Sequence, residues 1–497
     1  MISILARIGQ YALTRPREPA LVDGNGNMSY AALQREITRM SKQLGGQRVG
    51  LMLDNGCPWV VLDLAIQHRG AVCVPMPLFF SDAQLRHLID DAGLDMIITD
   101  QPERLESLLH MPPMMHLYIA GQRVSCFGLG AVFANPLPPG TSKITYTSGT
   151  TGEPKGVCLT GSSVERVTLA LCQAVGAGSS NRTLSLLPLS TLLENIGGVY
   201  TALASGACAH LPSLLEGGIG GTSVPMNHLF NLLHRYQPTS IILVPQLVKG
   251  VVVEAMESGA RLPSSLQFAA VGGAPLAATL LEQARAVGLP AYQGYGLSEA
   301  ASVVSLNLPG ADKPDSVGRL LPHVDVRIAD DGEIIVQGDV FRGYLGQSLA
   351  RRDQWATGDL GEVDEDGFLY ITGRKKSAYA TAYGRNVAPE WVESELLSHP
   401  AIAQAAVFGE AQPYNMAVIV PRGVAALPHI AGAVAQINQR LPEYARVSRW
   451  LIAAEPFTAA NGLGSPAGVV DRRAVEAHYA AQIEDCYTDK EACYGVL

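Results

Sequence analysis

Strand-like and helix-like segments alternate along the first two-thirds of the chain, and one unit shows the pattern in full. Arg48 to Leu53 is an apolar run short enough for a buried strand, and Asn55-Gly56 is a turn signal. Pro58 to Gln67 spaces its apolar residues as a helix does, Gly70 stops it, and Ala71 to Val74 forms a second strand. This order predicts two parallel strands of one sheet with a helix on its face, an α/β architecture. Further strands are expected at Met96 to Thr99, Ser240 to Val244 and Gln267 to Val271, the last leading through Gly272-Gly273 into a helix from about Leu276. After about residue 315 the texture changes. Val324 to Ile328 and Glu333 to Val336 flank the Asp331-Gly332 turn, and Asp366-Gly367 separates two more short strands. Both are hairpin signals, so an antiparallel region is expected. Beyond Gly373 a basic run, Arg374-Lys375-Lys376, opens a mixed segment that reads as a small α+β domain.

Composition removes several functions. Charged residues are 16 % of the 497, against about 25 % in a typical chain. That low density suits a large protein with little surface per volume. The net charge is −9 and no basic stripe appears, so no nucleic-acid partner is expected. The eight cysteines make no CxxC pair and no zinc-type spacing, which predicts reduced thiols and a cytoplasmic location. The first twenty residues lack the features of a signal peptide. The longest uncharged stretch, Asn195 to Leu215, contains His210 and Pro212 and reads as a buried helix and turn, so no membrane span is expected.

The chemistry concentrates in Ile144 to Val157, ITYTSGTTGEPKGV. An apolar strand runs into a loop containing Thr147, Ser148, Gly149, Thr150, Thr151, Gly152 and Lys155. The glycines let backbone N–H groups approach an anion closely. The hydroxyls add donors, and Lys155 adds a mobile positive charge. Together they suit a triphosphate. This is not a Walker loop, because Pro154 precedes the lysine where that motif has glycine.

YTSGTTGEPKG closely resembles the signature loop of the adenylate-forming superfamily, whose members include acyl- and aryl-CoA synthetases, peptide-synthetase adenylation domains and firefly luciferases. Met28 to Leu33, His68 to Pro75, Tyr292 to Glu299, Thr357-Gly358-Asp359 and Gly373 to Lys376 resemble further family signatures, in the family's order. The resemblance implies a large multi-lobed N-terminal domain over residues 1–373, a hinge at 374–376 and a small mobile C-terminal domain over 377–497. It implies that Thr147, Ser148, Thr150, Thr151 and Lys155 contact the β- and γ-phosphates of ATP, and that Glu299 binds Mg²⁺. Gly272, Gly273, Ala274 and the strand end Tyr292, Gln293, Gly294 and Tyr295 would wall the adenine. Asp359 would hold the ribose hydroxyls, with Arg374 nearby and Lys376 at the hinge. Gly384 would face an incoming pantetheine arm.

Two departures from the pattern carry information. Thr191 stands where related acyl-CoA synthetases often have His beside the reacting carboxylate. The next residue, Leu192, stands where amino-acid-activating members carry Asp, and an apolar side chain there leaves a substrate ammonium unpaired. A carboxylic acid with an apolar or aromatic body is therefore expected. Near the C-terminus, Val469 aligns with the family's catalytic lysine. Only Arg472, Arg473 and Lys490 offer a cation in its place. The resulting expectation is an acid–thiol ligase that makes an acyl adenylate and then a thioester with CoA or a phosphopantetheinyl carrier protein. The alternative is a homologue that binds nucleotide or uses preformed adenylate, impaired in adenylation by Val469.

Overall fold

The computed structural model describes residues 3–130, 135–147, 154–218, 225–338, 340–347, 353–383, 385–465, 468–488 and 495–496. The expected strand–helix–strand unit is present as Arg48–Met52, Cys57–His68 and Val72–Pro75. Its two strands run parallel, Arg48 opposite Val72. They sit inside a seven-stranded sheet that ends in the antiparallel hairpin Thr141–Thr147 and Lys155–Thr160. A second sheet has nine strands. Its middle is parallel and includes Ser240–Leu243, Phe268–Val271 and Ala291–Leu297, so the carboxyl ends of these strands share one edge. The antiparallel region is a four-stranded sheet of Val324–Ile328, Glu333–Gly338, Gln354–Val363 and Leu369–Arg374.

The largest core lies around the helices between the two big sheets. Helix Cys57–His68 is buried from Cys57 to Ile66 because it is sandwiched, not laid on a surface. Its apolar residues therefore run nearly all round it. The segment after residue 386 has its own sheet, built on Ile402–Phe408, Asn415–Pro421 and Val447–Ile452, and its own apolar clusters around Val392, Ile419 and Trp450, and around Phe408, Leu451 and Val475. Lys249 is among the residues that tie this segment to the body. Lys249, on helix Pro245–Ser258, is 8 % exposed and its ammonium donates to the Ile402 carbonyl. Burial, with Arg422 nearby, pushes its pKa down to about 7.

The uncharged stretch from Asn195 differs from expectation. It begins inside a π-helix, Leu193–Tyr200, continues as a short α-helix, Thr201–Ala204, and then forms strand Cys208–His210. That strand has parallel neighbours on both sides, with Ala209 and His210 paired to each, which a helix-and-turn reading does not foresee. No described helix is long and apolar enough to cross a membrane. The expectation of eight reduced thiols also needs correction. Cys57, Cys73, Cys126, Cys158, Cys172 and Cys208 are free, and Cys486 is disulfide-bonded.

Candidate active site

In the Thr141–Thr147 and Lys155–Thr160 hairpin, Thr147 and Lys155 are register partners at the end that leads into residues 148–153. Ser148, Gly149, Thr150, Thr151 and Gly152 lie outside the described residues. Segment 342–345 runs alongside the hairpin. Cys158 donates to Gly343, Arg342 to Cys158 and Leu345 to Gly156 through backbone bonds of 2.8–3.1 Å. This places Tyr344 as a bridge. The Lys155 ammonium lies 5.9 Å from the centre of its ring, and its hydroxyl donates to Glu299 Oε1 at 2.6 Å. The Phe341 N–H donates to the Glu299 carbonyl at 2.6 Å. Lys155 and Glu299, 144 positions apart in sequence, are thus held around one tyrosine. Nothing in the sequence singles out Tyr344, because its partner is chosen by tertiary packing.

A second cluster forms at the four-stranded sheet. Asp359 and Arg374 are register partners, and Arg374 Nε meets Asp359 Oδ1 at 2.9 Å. Tyr295 donates its hydroxyl to Asp359 Oδ2 at 2.6 Å. Burial and the neighbouring carboxylate hold the Tyr295 phenol above its ordinary pKa, so it stays a donor. Asp359 is 4 % exposed while most of the Arg374 side chain is in solvent. Lys375 is engaged with Asp331 and Glu333 at 2.6 and 2.8 Å. Lys376 is exposed in the following turn, and Gly384 lies outside the described residues.

Beside Tyr295 opens a cavity of about 630 Å³. Gly272, Gly273, Gly294 and Tyr295 line one part of it, and Thr191 and Leu192 line the adjoining wall. The glycines are needed here. Gly273 has φ +87°, a backbone shape that L side chains rarely adopt, and a Cβ on Gly294 would come within 3.0 Å of the Ser305 carbonyl. The cavity then runs beside Leu193, Gly197, Ile242, Phe268 and Ala174. From Gly272 back to Phe268 it follows one strand for roughly 13 Å at about 3.3 Å per residue. No described residue lining it carries a charge. Thr191 turns its hydroxyl to the Pro188 carbonyl at 2.8 Å, and Leu192 is buried.

Three further residues expected at the adenine wall are not among those lining this cavity. Tyr292 stacks on Phe268, ring centres 5.3 Å apart and 14° between planes, with the Arg285 guanidinium 5.2 Å from its ring centre. Gln293 is buried in the strand and, like Tyr292, is not among the cavity-lining residues; Ala274 is exposed.

Val469 is exposed at the end of a tight turn closed by Ser465 N–H to the Val469 carbonyl at 2.7 Å. A Cβ on the adjoining Gly468 would lie 3.7 Å from Gln246 Oε1, at the start of helix Pro245–Ser258. Arg472 is committed elsewhere, to Glu393 at 2.7 Å and Glu390 at 3.2 Å. Arg473 is exposed, and Lys490 lies outside the described residues.

The family pattern now has its test. The description "AMP-binding enzyme" matches residues 10–345, and "AMP-binding enzyme C-terminal domain" matches residues 378–491. The chain belongs to the AMP-binding enzyme family. Among its relatives, a long-chain-fatty-acid–CoA ligase, FadD15, of Mycobacterium bovis is 29 % identical over 89 % of this chain and 88 % of the relative. A feruloyl-CoA synthase from Amycolatopsis is 30 % identical over 82 % of this chain and 86 % of the relative. The fold is shared with the o-succinylbenzoate coenzyme A synthetase of Bacillus subtilis solved with ATP and magnesium ion, at TM-score 0.72 and 22 % identity over 94 % of this chain and 98 % of that one. This AMP-binding enzyme is an acid–thiol ligase of the AMP-forming kind.

Proposed function

We propose that this enzyme activates a carboxylic acid with an uncharged, elongated apolar body and joins it to coenzyme A. The uncharged cavity beside Asp359 and the Lys155–Glu299 bridge is the observation that carries this reading. A second carboxylate or an ammonium on the substrate body would be buried there without a counter-charge, at a cost of several kcal/mol or more. A 13 Å run accommodates about ten methylenes at ordinary C–C bond lengths, so fatty acids and extended aryl acids both suit its length. The names of the relatives, one acting on long-chain fatty acids and one making feruloyl-CoA, support the same two classes. All of those named are CoA ligases, which favours CoA over a carrier protein and lends no support to the non-adenylating alternative.

In the proposed reaction a carboxylate oxygen attacks the α-phosphorus of ATP and pyrophosphate leaves. The thiol sulfur then attacks the acyl carbonyl and AMP leaves. Asp359 takes the ribose hydroxyls, with Arg374 fixing its orientation and the Tyr295 hydroxyl holding its other oxygen. Lys155 and the hydroxyls of Thr147, Ser148, Thr150 and Thr151 serve the β- and γ-phosphates, backed by the N–H groups of Gly149 and Gly152. Glu299 suits Mg²⁺ that arrives with the nucleotide. It is a single hard oxygen donor, no group of three such ligands exists among the described residues, and Mg²⁺ is commonly held by one carboxylate together with substrate phosphates. When bound, the ion neutralises phosphate charge. Thr191 and Leu192 flank the carboxylate, Lys376 serves the hinge between residues 1–373 and 377–497, and Gly384 faces the thiol arm.

The test is a panel of carboxylic acids scored by pyrophosphate release, with CoA or a loaded carrier protein as acceptor. Alkanoic or aryl acids are expected to exceed amino acids and dicarboxylates by more than about tenfold, a barrier difference of about 1.4 kcal/mol. An amino acid or dicarboxylate leading the panel overturns the substrate class, and a preference for the carrier protein overturns the acceptor.

A further inference from the structure

Behind the cavity wall lies a set of buried charges that the proposed chemistry does not use. Lys143, in strand Thr141–Thr147, is 1 % exposed and pairs with the fully buried Asp63 of helix Cys57–His68 at 3.0 Å. The Lys143 ammonium also donates to Asn195 Oδ1 at 2.5 Å. Asn195 Nδ2 donates to Asp63 Oδ2 at 3.3 Å, and the Tyr200 hydroxyl donates to the same oxygen at 2.7 Å. Gln67 Nε2 donates to the Tyr200 hydroxyl. The ammonium lies 5.1 Å from the Tyr200 ring centre and 5.7 Å from that of Trp59.

Asn195 and Tyr200 are five residues apart on the π-helix Leu193–Tyr200. In α winding, at 3.6 residues per turn, positions five apart point about 140° away from each other. Only one of the two side chains would then reach the ion pair. In i→i+5 winding they stack on one face. The bond from the Thr201 N–H to the Ile196 carbonyl has this five-residue span. The wider turn presents Leu193 and Gly197 to the cavity from the same helix. Rewinding to α would rotate one set of residues out of place.

We propose that the Asp63–Lys143 pair, acting through Asn195 and Tyr200, holds this wall in π winding and so sets the cavity's shape and the enzyme's choice of acid. These are positioning residues. None of them lines the cavity, and their effect is carried by Leu193 and Gly197. The inference rests on the reading of the cavity as the acid pocket.

Removing one charge alone would leave the other buried and unpaired, so the test replaces both. In the full chain, Asp63→Leu is combined with Lys143→Met, since apolar pairs commonly replace buried ion pairs without loss of stability. Steady-state kinetics with alkanoic acids of increasing length and with cinnamic-type acids give the order of preference. The ratio of kcat/KM between the best and a poorer acid is expected to change by about tenfold, while the KM for Mg·ATP stays within about threefold. Tyr200→Phe, which removes the hydroxyl with its bonds to Asp63 and Gln67 and keeps the ring, is expected to change the ratio by about threefold. It serves as the test if the double variant does not fold. An unchanged kcat/KM ratio in a folded variant overturns the proposal, as does an equal change in both KM values. A crystal structure of the variant reads the winding of residues 193–200 directly. If the native enzyme turns over no acid, the proposed function fails. The winding then still decides the structural half of the inference, and persistence of the π-helix without the pair overturns it.

Discussion

Arg472 and Arg473 are adjacent and chemically identical, yet their surroundings separate them. Arg472 compensates Glu393, whose side chain is largely buried, so Arg472→Ala leaves an uncompensated charge. The expected loss is about 3–5 kcal/mol of stability, read as a lowered denaturant midpoint. Arg473→Ala, at an exposed site, should leave that midpoint unchanged within error. Val469 is exposed, so Val469→Lys has no packing to lose. An ammonium there should speed the first half-reaction, pyrophosphate release without thiol, by about tenfold or more. No acceleration would mean that the required cation is supplied from another position. At the nucleotide end, Glu299→Gln should weaken the magnesium dependence of ATP binding by calorimetry. Tyr344→Phe, which frees one Glu299 oxygen, should alter that dependence without abolishing it. Glu299, Asp359 and Arg374 were legible because each stands in a contiguous motif. Tyr344 and Lys143 were not, because their roles come from partners 45 and 80 positions away.

Among the elements, the π-helix is the one the sequence hides. Its apolar residues announce a buried helix, but the choice of i→i+5 winding comes from distant side chains. The strands at Arg48–Met52, Met96–Thr99 and Ser240–Leu243 were legible because a short apolar run between turn signals has one economical use in a parallel sheet. The same π-helix carries Glu194, fully buried, with Oε2 accepting from the Leu187 N–H at 3.1 Å and Oε1 without a hydrogen-bond partner among the described residues. Burial raises its pKa to about 8. The unfolded chain releases this proton near pH 4.3, so the folded state holds it longer and stability falls as pH rises from about 5 to 8. Glu194→Gln keeps the acceptor and removes the titration. Its unfolding free energy should exceed the native value by on the order of 3 kcal/mol near pH 8, with little difference at pH 4. Equal pH dependence in both proteins would show that Glu194 is solvated.

At the scale of the whole molecule, the C-terminal segment has apolar clusters of its own, beyond the basic run Arg374-Lys375-Lys376 where the sequence reads as opening a small domain. What the sequence could not indicate is where this segment meets the body, since Lys249 looks like any helix-surface lysine until its neighbours are seen. With its amine against the Ile402 carbonyl and Arg422 nearby, it is held near pKa 7. In water it returns to about 10.4. His399, whose pKa is lowered by burial and then by Lys249, would follow it in the same direction. Separating the helix Pro245–Ser258 from strand Ile402–Phe408 therefore takes up about one proton between pH 7 and 10. Each unit of acidification in that range favours the separated arrangement by up to about tenfold, and the effect levels off below pH 7. Amide exchange at 402–408 followed across pH should show it, and Lys249→Met should flatten the curve. The joint between body and C-terminal segment is thus also a proton acceptor. Every movement that opens it would draw acidity from the buffer, and every closure would give it back.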